Sequence, residues 1–151
     1  MWGSRAADGR RRVDFGPGAP QGRTMDARRL AVDGTWRNES GAELRLAQSG
    51  RRLAGSYRTR LGEARLGKAY DITGWRDGRC LGWSVSWAPE SDSLTTWAGL
   101  LGEAGGEPVI DAMFLLVSAT TLQEQLGLAS RRDTQAWEAF RTQAVRFRRA
   151  F

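Results

Sequence analysis

Three tryptophans stand among small hydroxyl residues in one short segment, LGWSVSWAPESDSLTTWAG, at 81–99. Trp83 and Trp87 lie close together, and Trp97 follows after several serines and threonines. An inward-pointing aromatic side chain in a small β-barrel either fills the core or lines a ligand cavity. An apolar box with a few placed polar groups is the usual construction of a small-molecule site. The segment therefore indicates a small-molecule binding site, with core packing as the alternative for any single tryptophan.

The residue types that many catalytic and metal sites require are missing from this sequence. It contains no histidine, and Cys80 is its single cysteine. A disulfide framework within one chain, a His/Cys zinc site and a Ser-His-Asp or Cys-His centre are therefore excluded. No segment approaches the roughly 20 apolar residues of a transmembrane helix. We expect no membrane partner.

The net charge of +6 is concentrated at the two ends of the chain. Residues 1–30 carry seven arginines and three aspartates, and residues 141–151 carry four arginines and no acidic residue. The remaining 12 basic and 14 acidic residues leave 31–140 with a net charge of −2. A basic chain suggests an anionic partner, but no RNP-like, helix-turn-helix or zinc-finger pattern is present. We therefore predict no nucleic-acid partner.

Residues 1–30 differ in composition from the rest of the chain. They mix arginine, glycine and proline without a period, which is typical of a disordered segment. We predict a disordered basic tail at 1–30 and a folded domain at 31–151. The tail has no apolar h-region, so no signal peptide is readable and the localisation stays open. Met25 leaves open a translation start later than Met1.

From Gly34 onward the sequence becomes a series of short apolar runs separated by turn signals. Apolar and small polar residues alternate most clearly at Trp83, Val85 and Trp87, so one side of such a strand faces a core or a cavity. The turn dipeptides SG, DG and GG stand at 49–50, 77–78 and 105–106. The pattern predicts an antiparallel meander of seven strands that closes into a barrel with one more strand.

The C-terminal segment permits two interpretations. The apolar residues from Trp137 to Phe147 follow a helical spacing, with Asp133 as a candidate N-cap. In the competing interpretation, Val145 and Phe147 alternate with arginines in a β-strand. We favour the strand, because a barrel needs it to remove the open edge of its sheet.

Seven short motifs share their order, and nearly their spacing, with those of one known family. They are GTWRNESG (34–41), LAGSY (53–57), YDITG (70–74), LGWSVSW (81–87), TTWAG (95–99), FLLVSAT (114–120) and WEAFRTQAVRF (137–147). On these motifs the chain resembles the avidin/streptavidin family of biotin-binding proteins. The resemblance implies an all-β, eight-stranded antiparallel up-and-down barrel at 31–151 that takes biotin at its open end. It also implies a protein that is not an enzyme, needs no cofactor and forms a homo-dimer or homo-tetramer. Members of the family are often secreted.

The resemblance assigns ligand contacts to five polar residues. Asn38 and Tyr57 stand where the family places hydrogen-bond donors to the ureido oxygen of biotin. Thr59 stands at the position of a hydroxyl that accepts from one ureido N–H. Thr95 stands beside the position of the thioether sulfur, and Ser93 near that of the valeryl carboxylate. Donors held rigidly in a water-poor pocket stabilise a polarised oxygen strongly.

Five apolar residues complete the implied site. Trp87 and Trp97 match the two indoles that wall the bicyclic ring of biotin. Phe114 replaces a third wall tryptophan, and Leu116 matches the family residue that follows it. Trp137 aligns with the tryptophan that tetrameric members lend to the pocket of a neighbouring subunit. The resemblance therefore implies a pocket that a second copy of the chain helps to close.

Three positions depart from the family pattern. Ala42 replaces a second hydroxyl donor to the ureido oxygen, and Val145 replaces a biotin-facing asparagine or aspartate. Glu63 replaces an amide and would meet the ligand carboxylate with a like charge. Each lost hydrogen bond to a charged or strongly polarised partner costs roughly 1.5–3 kcal/mol. We therefore expect weaker biotin binding than is typical of the family. The alternative is a barrel that no longer binds biotin and instead binds another small ligand or acts as an interaction module.

Overall fold

A closed β-barrel forms the part of the chain that the computed structural model describes, residues 26–60, 67–119 and 139–151. Its strands are β1 (Gly34–Arg37), β2 (Glu43–Ser49), β3 (Arg52–Arg58), β4 (Tyr70–Asp77), β5 (Cys80–Ser86), β6 (Ser93–Ala104), β7 (Glu107–Ser118) and β8 (Phe140–Arg149). Each strand pairs antiparallel with the next, and β1 pairs with β8 to close the barrel. The predicted eight-stranded up-and-down barrel is confirmed. No helix among these residues is long and apolar enough to cross a membrane.

The last strand confirms the β-strand interpretation of the C-terminal segment. In the register of β8 with β7, Val145 lies opposite Ala112 and Phe147 opposite Ile110. Phe147 is completely buried and Val145 packs partly against the core, whereas Arg146 and Arg148 beside them are exposed. Pairing of β8 with both neighbours leaves no open sheet edge, which is the physical reason that a strand forms here. Asp133 and the start of the competing helix lie outside the described residues.

Side chains alternate between the barrel interior and the solvent along each strand. The alternation is strictest in β4, where Tyr70, Ile72, Gly74 and Arg76 are buried and the residues between them are exposed. Such a period of two is the signature of a strand with one buried side. The barrel interior therefore collects the large inward side chains of every strand, among them Trp36, Leu44, Trp83 and Phe147.

Two glycines let neighbouring strands approach more closely than a side chain would allow. A Cβ atom on Gly74 would lie 2.2 Å from the carbonyl oxygen of Gly82. A Cβ atom on Gly55 would lie 1.9 Å from the carbonyl oxygen of Arg45, and Gly55 has a φ of +146°, which L-residues rarely adopt. Both positions therefore require glycine, because a side chain would collide with the backbone of the neighbouring strand.

The two ends of the barrel differ in their connections. Tight turns join β2 to β3, β4 to β5 and β6 to β7 at one end, which we call the turn end. At the opposite end, which we call the loop end, β1, β3, β5 and β7 finish, and longer stretches of sequence, 38–42, 59–69, 87–92 and 119–139, separate them from the strands that follow. Longer connections give room for a ligand and for the residues that contact it. A binding site is therefore expected at the loop end.

A buried arginine fills the interior at the turn end. The guanidinium group of Arg76 donates hydrogen bonds to the carbonyl oxygens of Leu30, Arg28 and Gly78, each at 2.8 Å. It also donates to the side-chain oxygen of Gln48 at 2.9 Å. Arg76 is only 7% exposed, so these acceptors replace the water that its charge has lost.

The partners of Arg76 include Arg28 and Leu30, which lie within the predicted disordered tail at 1–30. Residues 26–30 form a turn against the barrel, and Leu30 is 8% exposed within the core. The remainder of the predicted disordered tail, 1–25, lies outside the described residues. Contacts of 26–30 with Arg76 make this short segment part of the turn end of the barrel.

Candidate functional site

Aromatic rings from four parts of the barrel meet inside it, towards the loop end. The ring centroid of Tyr57 in β3 lies 4.8 Å from that of Trp97 in β6 and 5.9 Å from that of Trp87 at the end of β5. The ring of Phe114 in β7 lies 6.2 Å from that of Trp97. We call these four residues the aromatic box. All are among the predicted site residues, and the antiparallel register brings them together because each points inward.

Trp83 supports the aromatic box from the core side. Its ring stacks on Trp97 at 5.7 Å with an angle of 9° between the ring planes, and it is only 1% exposed. Phe147 packs edge-on against it at 5.9 Å. Trp83 therefore belongs to the core, and its stacking holds the Trp97 indole in one orientation.

One polar contact fixes the Trp87 indole and leaves a hydroxyl proton available. The Trp87 Nε1–H donates to Thr95 Oγ1 at 2.8 Å, and both residues are buried. An indole nitrogen can only donate, so Thr95 Oγ1 is the acceptor and its own proton remains free to point elsewhere. Thr95 can therefore orient the indole and donate to a ligand atom at the same time.

Two further polar groups have donor capacity that no described residue uses. The backbone N–H of Ala42 donates to Asn38 Oδ1 at 2.9 Å, and the Nδ2 amide of Asn38 donates to no described residue, so its donor capacity remains available. The hydroxyl of Tyr57 makes no hydrogen bond with the described residues, and burial raises the pKa of Tyr57 to about 12. At neutral pH the Tyr57 hydroxyl is therefore protonated and able to donate.

The other predicted site residues lie at the loop end or just inside it. Leu116 is half-buried in β7 opposite Thr95, and Ser93 begins β6 with its hydroxyl 2.7 Å from that of Ser91. Thr59 follows the end of β3 and is half-buried. Asn38 lies in the connection between β1 and β2. Trp137, the residue predicted to reach a neighbouring subunit, lies outside the described residues, as does Glu63.

Three residues at the same end were not among the predicted site residues. Tyr70 is buried, and its ring centroid lies 4.9 Å from that of Trp87, so it extends the aromatic box outward. Lys68 Nζ lies 2.8 Å and 3.0 Å from the two carboxylate oxygens of Glu90. The alternation of β4 could have identified Tyr70 as inward-pointing, whereas no sequence signal pairs Lys68 with Glu90. Within the described ranges, no three His, Cys, Asp or Glu side chains cluster as a metal site would require.

A closed eight-stranded up-and-down barrel with an aromatic box and unused donors at one end is a small-molecule-binding barrel by its construction. The avidin family model matches residues 26–139, and the chain belongs to this family. Proteins of the family bind biotin as a ligand and catalyse no reaction, as the sequence resemblance implied. No curated protein sequence is significantly similar to the chain.

Solved structures with the same fold include several avidin-like proteins. Apo shwanavidin is 21% identical over 80% of this chain and 100% of its own, with a TM-score of 0.64. The rhizavidin–biotin complex is 19% identical over 81% of this chain and 98% of its own, with a TM-score of 0.65. Xenavidin is 26% identical over 79% of this chain and 96% of its own, with a TM-score of 0.62. These similarities agree with the barrel described above.

Proposed function

We propose that the protein binds biotin without covalent chemistry, between the aromatic box and the loop end. The observation that carries the proposal is the pair of unused donors, Asn38 Nδ2 and the Tyr57 hydroxyl, in a barrel whose interior is lined by aromatic rings. The ureido oxygen of biotin is a strong acceptor with two lone pairs, and two fixed donors suit it. Membership of a family of biotin-binding proteins supports the same ligand.

The remaining predicted contacts fit the other groups of biotin. Trp87 and Trp97 supply the apolar walls for the bicyclic ring, with Phe114 and Leu116 beside them on β7. The free proton of Thr95 suits the thioether sulfur, since its oxygen already accepts from Trp87. Thr59 and Ser93 are proposed to meet a ureido N–H and the valeryl carboxylate. Burial of the ring system between the walls would supply the largest part of the binding free energy.

We propose that the affinity is lower than is typical of the family. Ala42 is 3% exposed and Val145 packs partly against the core, so neither position offers a polar group to the ureido ring. Two missing hydrogen bonds to a polarised ligand would cost roughly 1.5–3 kcal/mol each. The same apolar positions favour a second candidate function, the binding of a different and less polar small ligand in the same box.

Thermal unfolding with and without biotin tests the proposal. Biotin at a thousand times its Kd is expected to stabilise the folded protein by about 4 kcal/mol, because it binds only the folded state.

Trp87→Phe removes an indole edge and the hydrogen bond to Thr95, and should weaken binding about tenfold. Trp75→Phe is the matched control, since Trp75 is 54% exposed outside the barrel. An unchanged Tm in millimolar biotin would contradict biotin binding and favour the other ligand.

We further propose that the protein self-associates through an outer apolar face on β6, β7 and β8. Five large apolar side chains, each between 45% and 56% exposed, form this face: Leu94, Leu100, Met113, Leu115 and Phe140. Soluble monomers rarely expose so many neighbouring apolar side chains, and a second copy offers the same face in a two-fold dimer. The family resemblance implies the same kind of partner.

Light scattering at micromolar concentration tests self-association. The wild-type protein is expected to have at least twice the mass of one chain. Met113→Glu places a charge in the middle of the outer apolar face, opposite Ala98 and Ala144, and should dissociate the assembly. Trp75→Glu, on the outside of β4, should leave the mass unchanged. A monomeric wild-type protein would rule the proposal out.

A further inference from the structure

Four exposed arginines project from the outer side of four neighbouring strands. We call them the arginine row: Arg37 in β1, Arg45 in β2, Arg58 in β3 and Arg148 in β8. In the sheet register, Arg37 lies opposite Arg148 on one side and opposite Glu43 on the other. Glu43 in turn lies opposite Arg58. Neighbouring strands are about 4.8 Å apart, so the guanidinium groups start from one short band of the outer surface.

The carboxylate of Glu43 neutralises part of this positive charge. Its two oxygens lie 3.1 Å from Arg37 Nη2 and 2.9 Å from Arg45 Nε. The hydrogen bonds from Arg37 and Arg45 hold the pKa of the Glu43 carboxyl below its ordinary value, so Glu43 is ionised at neutral pH. Four positive charges and one negative charge leave this band with a net charge of +3.

Two guanidinium groups of the row have donors to spare. Arg58 and Arg148 are exposed, and neither forms an ion pair with another residue of the ranges that the structure describes. Asp111, on the strand beside Arg148, accepts hydrogen bonds through both carboxylate oxygens from Arg146 instead. The planar fork of a guanidinium group matches the oxygens of phosphate groups. These donors are therefore available to an anion outside the chain.

The surroundings of the row narrow the kind of anionic partner. No outward side chain of β1, β2 or β3 is aromatic or a large aliphatic group. Proteins that bind single-stranded nucleic acid stack its bases on aromatic side chains, and helices that bind membrane surfaces insert apolar side chains into the lipid. From β8 to β3 the row spans three strand spacings, roughly 14 Å, which a single small anion does not bridge. The face therefore suits a long polyanion without bases.

We propose that the arginine row binds inorganic polyphosphate, a linear polymer with a negative charge on each phosphate group. The closely spaced charges of the polymer match guanidinium groups that come from neighbouring strands, and the release of counterions stabilises the complex. The outer apolar face lies mainly on β6 and β7, so self-association there would leave the row accessible. The binding surface lies outside the barrel and does not depend on the binding of biotin.

Fluorescence anisotropy with labelled polyphosphate and the full chain, at several salt concentrations, tests this inference. The triple variant Arg37→Gln, Arg58→Gln and Arg148→Gln should bind the polymer at least about tenfold more weakly at low salt. The slope of log Kd against log salt concentration should fall by about three, one for each phosphate contact that is lost. Lysine at the same three positions should keep most of the slope, because it keeps the charge.

The matched control removes three other exposed arginines, through Arg29→Gln, Arg51→Gln and Arg52→Gln, and has the same net charge as the first variant. Its Kd and its salt slope should stay close to those of the wild type. If the two triple variants lost the same affinity, overall charge would bind the polymer and the inference would be overturned. Absence of binding by the wild type would also overturn it, as would tighter binding of single-stranded DNA than of polyphosphate.

Discussion

Replacing Arg76 with leucine is expected to lower the free energy of unfolding by about 3–5 kcal/mol, and the Tm by about 10 °C. The guanidinium group satisfies the carbonyl oxygens of Leu30, Arg28 and Gly78 and the side chain of Gln48. Leucine cannot donate to any of them, and the acceptors that remain buried lose both their partner and their access to water. Denaturant unfolding of the two proteins measures the difference.

Arg52→Leu is the matched control for Arg76→Leu. Arg52 lies on the neighbouring strand, and its guanidinium packs over the exposed ring of Trp75 at 4.4 Å on the outside of the barrel. Its removal should lower the free energy of unfolding by less than about 1 kcal/mol, because exposed cation–π contacts are weak. If the two variants lost the same free energy of unfolding, the buried hydrogen bonds of Arg76 would not be what stabilises the turn end.

The same residue illustrates what the sequence predicts and what it leaves open. The period of two in YDITGWRD identifies β4, and the register that places Tyr70 and Ile72 inside must also place Arg76 inside. An inward arginine in a strand signals a buried polar network, so its burial was predictable in principle. The acceptors of its hydrogen bonds were not predictable, because the carbonyl oxygens of Arg28 and Leu30 belong to a segment without periodicity.

The aromatic box was predictable for a related reason. Tyr57, Trp97 and Phe114 lie in strands with alternating inward and outward residues, and Trp87 continues the alternation of β5, so their inward positions follow from the sequence. Their roles towards biotin stay predictions, because side-chain types alone do not identify a ligand.

The contacts that depend on loop conformation could not be predicted. Lys68 and Glu90 are 22 residues apart in two connections that have no repeating pattern. Their ion pair forms only because the ends of β3, β4, β5 and β6 bring those connections together at the loop end. Periodicity fixes the direction of a side chain within a strand but says nothing about a residue between strands.

The second large effect is expected at Val145, where aspartate should raise the affinity for biotin about tenfold to a hundredfold. Val145 lies in β8 opposite Ala112, is half-buried and packs against the core, so its side chain points into the barrel. A carboxylate there would accept a hydrogen bond from a ureido N–H of the bound ligand. A charge-assisted hydrogen bond in a water-poor site contributes roughly 1.5–3 kcal/mol, which corresponds to that change in Kd.

The unliganded Val145→Asp protein should be less stable than the wild type, because its new carboxylate loses water without gaining a partner. Tighter binding together with a lower Tm would therefore distinguish a restored ligand contact from a general stabilisation of the barrel. Thr73→Asp is the control, since Thr73 is exposed on the outside of β4 and its carboxylate would stay in water. Calorimetric titration with biotin should show no change for Thr73→Asp. If Val145→Asp bound biotin no more tightly than the wild type, the ureido group would not lie beside β8, and the proposed orientation of biotin in the barrel would be wrong.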